Sequence, residues 1–298
     1  ATTYQLGDEQ RDGTADLTNG VSAYLMGGCG SGIDLKFART TTARTMFWVM
    51  DIARDKKAWF LGDESVVNFQ RGDGGQYCIS TQTSFSGGVV REDGDIPHDK
   101  KSQPEGYEIW RCRPYAPGTT HVYSLQAAAD MAASCLSADR SSAEVNGGRA
   151  LSELVIFNRA LTAAEVADVE AYMDLKWFGT TKTVTSAVDA TGRVSYPNLT
   201  CGDGAAFTVK SRNLEADGEA AVTVHGLFEK TGDGKIVITN DDQRSRPGAV
   251  LFRCAESYGL SLDSFEFVGF PEGTTFAWEN DELKVTDCPV PGLMLIVR

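Results

Sequence analysis

Closely spaced acidic residues are the groups in this sequence best suited to do chemistry. Two carboxyl groups held at a fixed separation supply the nucleophile and the general acid of glycoside hydrolysis. Two clusters stand late in the chain: Glu215, Asp217 and Glu219 form one, and Glu279, Asp281 and Glu282 form the other. The first cluster runs through an Asp-Gly step, and turn formation explains both clusters better than catalysis does.

The first half of the chain offers Asp63 and Glu64 as its nearest approach to a catalytic pair. Catalytic carboxylates that alternate along one strand would be two residues apart, whereas Asp63 and Glu64 are adjacent. We therefore expect no hydrolase activity. A divergent glycoside hydrolase, which would use Asp63 or Glu64 with a carboxylate from elsewhere in the chain, stays as an alternative.

Histidine-based chemistry has no local support in the sequence. His98, His121 and His225 are far apart in the chain. There is no G-x-S-x-G nucleophile elbow, and no paired-histidine spacing offers a transition-metal site. We expect each histidine to be a surface or strand residue.

An acidic loop between Arg91 and Lys101 is a candidate calcium site. Carboxylate oxygens at short spacing are the ligands that Ca²⁺ prefers, and the loop offers them at Asp93, Asp95 and Asp99. The D-x-D-x-D-G pattern is absent and basic residues flank the loop, so a solvated loop is the alternative interpretation.

Two aromatic side chains flank two arginines in the segment "YEIWRCRPYAPG". The ring faces of Trp110 and Tyr115 match the apolar face of a pyranose, and Arg111 and Arg113 are bidentate donors suited to an acidic or sulfated sugar. These four residues are our candidate ligand-binding site. The alternative is that Trp110 belongs to the core.

Charge and hydropathy exclude several classes of partner. The net charge is −13 and the isoelectric point is about 4.7, so the basic surface that nucleic acid or anionic lipid requires is missing. No run approaches the roughly 18 apolar residues of a membrane span. The opening "ATTYQLGDEQRDG" has neither the basic start nor the apolar run of a signal peptide, which leaves the compartment open.

Seven cysteines are spread along the chain, and none forms a C-x-x-C pair: Cys29, Cys78, Cys112, Cys135, Cys201, Cys254 and Cys288. Long-range disulfides in an exported protein and buried thiols both fit this pattern. Because seven is odd, at least one thiol is free.

Strand-length apolar runs separated by Gly, Asp, Asn and Ser fill the chain to about residue 160, which predicts an all-β domain. In "RTMFWVMDI" both parities are apolar, which indicates a central strand that is covered on both faces. After Gly179 the residue pattern changes. The polar segment "TTKTVTSAVDATG" is typical of a linker, and short strand-like segments follow it to the end of the sequence.

One helix interrupts the strands. Thr162 and Glu165 have the spacing of a capping box, and Gly179 is well placed to end the helix. The residues Val166, Val169, Met173 and Trp177 recur at helical spacing and form one apolar stripe. We predict a helix over 162–176 that closes a first domain of residues 1–179, with a second domain over 180–298.

The segment that contains this helix resembles the closing strand and helix of laminin-G-like, concanavalin A-like jelly rolls in bacterial surface and secreted proteins. The matching residues are Glu153, Asn158, Arg159, Leu161, Glu165, Glu170, Tyr172, Lys176 and Trp177. The strands "TMFWVM", "FLGD" and "NFQRGD" extend the likeness over roughly residues 20–178. The resemblance implies an all-β, concanavalin A-like jelly-roll sandwich with one C-terminal helix.

The later segments "LFEKTGDGKIVITN", "AVLFRCAE" and "FVGFPEGTTFAWENDELKV" are similar to small β domains that close bacterial surface and autotransporter-like proteins. This likeness implies a second, smaller β-sandwich and an extracellular or cell-surface location. Together the resemblances imply a non-catalytic binding module whose partner is a glycan or another surface protein. A purely structural surface-protein domain is the alternative.

Overall fold

The chain folds as two compact units, Ala1–Thr162 and Ala163–Arg298. The computed structural model describes residues 14–16, 22–26, 35–51, 58–63, 70–73, 78–81, 88–96, 99–102, 108–111, 120–136, 149–211, 214 and 219–289. We call Ala1–Thr162 the first unit and Ala163–Arg298 the second unit.

The first unit consists of antiparallel strands in two sheets. The strands are β1 (Thr14–Asp16), β2 (Ser22–Met26), β3 (Leu35–Asp51), β4 (Ala58–Leu61), β5 (Gln70–Asp73), β6 (Cys78–Thr81), β7 (Val89–Glu92), β8 (Asp99–Ser102), β9 (Glu108–Arg111), β10 (His121–Leu136) and β11 (Arg149–Phe157). One sheet has the order β1-β2-β11-β3-β10-β7 and the other has the order β4-β5-β6-β9-β8.

Strand β3 lies at the centre of the larger sheet, between β11 and β10. Its residues of both parities, from Met46 to Met50, are fully or almost fully buried, which confirms the prediction of a strand covered on both faces. Leu61 of the smaller sheet packs in the same core as Trp48. The first unit is therefore the expected all-β sandwich, and its jelly-roll connectivity stays a prediction.

The turn after β11 is attached to the larger sheet by a threonine. The Thr45 hydroxyl donates to the carbonyl of Arg159 (3.0 Å) and accepts the amide of Leu161 (3.1 Å). The Gln126 side chain donates to the Leu161 carbonyl. The backbone groups of the "NRAL" segment are therefore satisfied by side chains of strand residues.

The second unit begins with the helix and continues with eleven strands. They are α1 (Ala163–Phe178), β12 (Thr181–Val184), β13 (Ala187–Asp189), β14 (Val194–Tyr196), β15 (Asn198–Cys201), β16 (Ala206–Val209), β17 (Ala220–Lys230), β18 (Ile236–Asn240), β19 (Val250–Tyr258), β20 (Phe265–Val268), β21 (Thr275–Glu279) and β22 (Glu282–Asp287). A short 3-10 helix spans Leu262–Ser264.

Helix α1 matches the predicted helix closely. It ends where Gly179 adopts a positive φ of 60° and donates its amide to the carbonyl of Leu175 at 3.1 Å, the geometry of a glycine that terminates a helix. From the predicted apolar stripe, Val166 and Met173 are buried, whereas Val169 and Trp177 are partly buried.

The position of α1 differs from the expectation that it closes the first domain. The helix belongs to the second unit, where it packs against β14 and β17, so the chain divides after Thr162 rather than after Gly179. An apolar stripe shows that a helix must be covered, but the stripe carries no information about which sheet covers it.

The second unit is built from stacked parallel strands. In one sheet β12, β15, β17 and β19 pair in parallel, and in the other β13, β16, β18 and β20 do the same. Each turn of the chain, here called a coil, contributes a strand to both sheets. The antiparallel hairpin of β21 and β22 extends the first sheet beyond β19. This arrangement is a parallel β-solenoid. The second unit is therefore all-β, as expected, and the two sheets of the predicted sandwich are formed by stacked coils.

The register shows a structural repeat that the sequence analysis did not recognise. Phe207 lies opposite Ile238, and Ile238 lies opposite Phe267, so successive coils are 31 and 29 residues apart. Short strands of varied sequence satisfy this geometry if one or two side chains in each point inwards. The repeat is therefore visible in the pairing of strands between coils but not in the amino-acid sequence.

The interpretation of residues 180–192 as a linker was wrong. This segment contains β12 and β13, the first coil of the solenoid, with Val184 and Ala190 buried. Its threonines are good strand formers, and the strand β12 has only one inward-facing residue. A polar strand of this kind is difficult to distinguish from a linker in sequence.

In the described ranges, no helix combines the length and the apolar character needed to cross a membrane. The four cysteines whose side chains are described, Cys135, Cys201, Cys254 and Cys288, are buried, and the last three are free thiols. Burial raises the pKa values of Cys201 and Cys254 to about 12, which makes both thiols unreactive at neutral pH.

Candidate functional site

The outer face of the first solenoid sheet carries polar side chains in register across four strands. Ser195 lies opposite Thr223, Thr223 opposite Arg253, and Arg253 opposite Glu282. The neighbouring residues Val222 and Phe252 are fully buried, so alternation directs the in-register set outwards. We call Ser195, Thr223, Arg253 and Glu282 the polar row.

Helix α1 meets the Ser195 end of the polar row through one carboxylate. Asp168 Oδ1 accepts hydrogen bonds from the Ser195 hydroxyl (2.8 Å) and from His225 Nε2 (3.0 Å). The hydrogen bond from His225 is the main cause that lowers the pKa of Asp168; partial burial opposes it and the Ser195 hydrogen bond adds to it. The carboxylate is therefore held ionised and fixed in place.

This arrangement is not a hydrolytic triad. In a triad the imidazole lies between the serine and the carboxylate, because it must take the serine proton. Here Asp168 lies between Ser195 and His225, and both donate to it. The contact attaches α1 to β14 and β17, and it presents an imidazole and a carboxylate at the sheet surface.

Removing this carboxylate is expected to loosen the helix. Asp168→Ala breaks two hydrogen bonds in a half-exposed setting. We therefore expect faster amide exchange in α1, equivalent to a loss of about 1 kcal/mol in local stability at neutral pH. Because the pKa of Asp168 is lowered on folding, its contribution is complete above the unfolded-state pKa and is lost as pH falls through the folded-state pKa. Hydrogen exchange measured across this range checks the prediction.

The matched control is Asp168→Asn, which keeps an acceptor oxygen without a titratable charge. It should retain most of the protection and lose the pH dependence that comes from the carboxylate. Equal protection of α1 in the wild type and in Asp168→Ala at neutral pH would contradict the role of the contact.

An exposed aromatic ring stands beside this contact. Tyr172, one helical turn after Asp168, is 47% exposed, and its ring meets the His225 ring edge-on with centroids 6.2 Å apart. The ammonium of Lys176, a further turn along, lies 5.9 Å from the Tyr172 ring centroid. The Ser195 end of the row therefore combines a ring, an imidazole, a carboxylate and an exposed cation.

The other end of the polar row is an ion-pair network. Arg253 Nε donates to Glu282 Oε1 at 2.6 Å, and Lys284 Nζ contacts Glu282 Oε2. Burial alone would raise the pKa of Glu282, but the hydrogen bonds and charges of Lys284 and Arg253 outweigh it and lower that pKa. Glu282 therefore stays ionised between the two cations.

The hairpin turn before Glu282 is made by Asn280 and Asp281, both with positive φ (51° and 59°), as a two-residue hairpin requires. The acidic cluster Glu279, Asp281 and Glu282 thus lies at a turn, as predicted. The Asp281 carboxylate accepts the Ser257 hydroxyl at 2.5 Å. In the earlier acidic cluster, only Glu219 lies in the described ranges, and it pairs with Arg193.

The predicted ligand-binding residues lie in the first unit. Trp110 and Arg111 are the last two residues of β9, with Trp110 opposite Ile79 of β6 and Lys100 of β8. Arg113 and Tyr115 lie outside the described residues. Their grouping as a sugar site therefore stays a prediction.

The predicted calcium ligands are placed in different elements. Asp93 has a positive φ of 48° in a tight turn after β7, and its carboxylate binds His121 Nδ1 (2.7 Å) and the Val122 amide (3.0 Å). Asp95 closes that turn through backbone bonds with Glu92, and Asp99 begins β8 of the other sheet. Within the described ranges, no group of three or more Asp, Glu, His or Cys side chains is arranged to hold a metal ion. The calcium site stays a prediction.

The residues of the hydrolase alternative are only partly described. Asp63 is buried, with 1% of its surface exposed, and Glu64 lies outside the described residues. A carboxylate this deeply buried needs a rearrangement before it can reach a polysaccharide.

Sequence analysis missed the cluster of Asp168, Ser195 and His225. The available signal was the four-residue spacing of Asp168, Tyr172 and Lys176, which places them along one side of the helix. No pattern linked this side to Ser195 or His225, because 27 and 57 residues separate them from Asp168.

Comparison with family models and with curated proteins found no match. Matching solved structures include the catalytic domain of a GH87 alpha-1,3-glucanase in complex with nigerose (11% identity, TM-score 0.27) and a variant of it in complex with tetrasaccharides (12% identity, TM-score 0.28). These matches cover 84% and 91% of this chain, and this chain spans about half of each, 49% and 56%. At TM-scores this low, the likeness establishes neither a shared fold nor a shared activity.

Proposed function

We propose that the protein is a non-catalytic carbohydrate-binding module of an exported bacterial protein. The polar row is the observation that supports this proposal: Ser195, Thr223, Arg253 and Glu282 stand in register on a rigid sheet, with the exposed ring of Tyr172 near one end. Sugars are bound by hydrogen-bonding side chains together with an aromatic ring that contacts their apolar face.

The spacing of the row favours an extended ligand. Neighbouring strands lie about 4.7–4.9 Å apart, so the row offers polar groups at regular intervals over the width of four strands. An extended glycan that crosses the strands would contact each position in turn. The rigid backbone lowers the entropic cost of binding, because the side chains stand on strands rather than on loops.

The sequence predicts a second candidate site in the first unit at Trp110, Arg111, Arg113 and Tyr115, and a calcium ion at Asp93, Asp95 and Asp99. The competing proposal is a purely structural surface domain. The stacked coils of the second unit support it, since a solenoid is a stiff spacer whether or not its face binds a ligand.

A glycan array probed with the full chain, with and without EDTA, tests the proposal. We expect binding to at least one glycan, with an affinity about tenfold lower in Tyr172→Ala, since an aromatic contact contributes up to about 1.5 kcal/mol. Tyr172→Phe is the matched control and should bind like the wild type, because it keeps the ring.

The same array separates the two surfaces. Binding lost in Trp110→Ala but kept in Tyr172→Ala would place the site in the first unit, and loss with EDTA would support calcium. An absence of binding across a broad array would leave the structural spacer as the better account. Release of reducing sugar that is abolished in Asp63→Asn would instead show a hydrolase.

A further inference from the structure

The Arg253 end of the polar row has the construction of a subsite for an anionic group. Arg253 and Lys284 share the single carboxylate of Glu282, and their side chains are 40% and 38% exposed, whereas that of Glu282 is 17% exposed. The cations therefore face solvent while the carboxylate that holds them lies beneath.

The guanidinium of Arg253 is oriented by its inner nitrogen. Nε donates to Glu282, and in the described part of the chain the two terminal nitrogens, Nη1 and Nη2, have no protein acceptor. A guanidinium fixed in this way presents a pair of parallel N–H donors, the geometry that matches the two oxygens of a carboxylate or sulfate.

Acidic groups outnumber cations around this group. Glu279 lies directly opposite Glu282 across the hairpin, and the Asp281 carboxylate, which accepts the Ser257 hydroxyl, is a third acid beside the two cations. Attraction for an anion therefore depends on the fixed donor pair rather than on net charge. Glu279 is exposed, and its negative charge repels an anion that approaches Arg253.

We propose that Arg253, supported by Lys284 and positioned by Glu282, binds the carboxylate or sulfate group of an acidic glycan. The inference rests on the proposed carbohydrate binding of the polar row and assigns the chemistry of one ligand substituent. Arg253 and Lys284 contact the anion, and Glu282 is a positioning residue that holds the guanidinium.

Two matched pairs of polymers test the inference by binding to the full chain at physiological ionic strength. Polygalacturonate is compared with its fully methyl-esterified form, and dextran sulfate is compared with dextran. In each pair the backbone is shared and only the anionic group differs. Tighter binding of polygalacturonate than of its methyl ester identifies a carboxylate as the bound group. Tighter binding of dextran sulfate than of dextran identifies a sulfate.

Four variants assign the effect to this subsite. Arg253→Ala should lower affinity for the anionic polymer about tenfold, and Arg253→Lys should recover little of it, because lysine lacks the donor pair. Glu279→Gln should strengthen binding. Lys182→Ala, which removes one exposed charge from β12 of the same sheet, should change little.

The outcomes separate this inference from the proposed function. Equal binding of the anionic and neutral members of both pairs, reduced in Tyr172→Ala but not in Arg253→Ala, would overturn the inference and leave carbohydrate binding intact. An equal loss of affinity for the anionic polymer in Lys182→Ala and Arg253→Ala would overturn the inference, because it would show a general effect of charge. No binding to any of the four polymers or to the array would reject both proposals. Circular dichroism of each variant confirms that it is folded.

Discussion

Replacing Phe252 with alanine is expected to lower the free energy of unfolding of the second unit by about 3–5 kcal/mol. Phe252 is fully buried. Its ring stacks on Phe228 at 5.4 Å within the first sheet and meets Phe207 of the second sheet edge-on at 5.0 Å. The side chain therefore joins the two sheets, and its removal leaves a cavity that neighbouring coils cannot fill without moving the backbone.

Tyr258→Ala is the matched control for this prediction. It removes an aromatic ring from the same strand, β19, but Tyr258 is 74% exposed, so its loss should change stability by less than about 0.5 kcal/mol. Hydrogen exchange of peptides from β17 and β19 in the full chain measures both variants. Similar exchange in the two variants would contradict the assignment of Phe252 to the centre of the core.

The second large effect is expected from Asn240→Ala, which should destabilise the second unit by about 2 kcal/mol. Asn240 is buried. Its Oδ1 accepts the Ser211 amide at 3.2 Å and its Nδ2 donates to the Arg244 carbonyl at 2.6 Å. Alanine leaves the Ser211 amide buried and unpaired, whereas the Arg244 carbonyl keeps the Ser211 hydroxyl as a donor.

Thr239→Ala controls for the change at the neighbouring position of β18. Thr239 faces away from the core and is only partly buried, so the change should be nearly neutral. Thermal unfolding and hydrogen exchange of β16 and β18 peptides compare the two variants. An Asn240→Ala protein with the exchange pattern of Thr239→Ala would show that water replaces the lost hydrogen bonds.

Both effects concern contacts between coils, and this has a consequence for the proposed site. The residues of the polar row lie opposite one another because β17, β19 and β22 pair in this register, and Phe252 and its neighbours pack beneath these strands. A core substitution that shifts this register is therefore expected to weaken ligand binding without touching a ligand-facing residue.

Local features of this protein were determined by the sequence itself. The two-sided burial of Met46–Met50, the helix that ends at Gly179 and the turn at Asn280 and Asp281 all follow from periodicity and turn chemistry within a few residues. Each depends on interactions between near neighbours in the chain, so a short window of sequence contains the information that specifies it.

The tertiary structure alone decided which distant segments meet. A polar strand such as Thr181–Val184 gives the same local pattern as a linker until the next coil pairs with it. The bridge from Asp168 to Ser195 and His225, and the polar row itself, depend on α1 docking against β14 and β17 and on parallel stacking of coils about 30 residues apart. Packing between two sheets selects this register, and no single segment contains that packing.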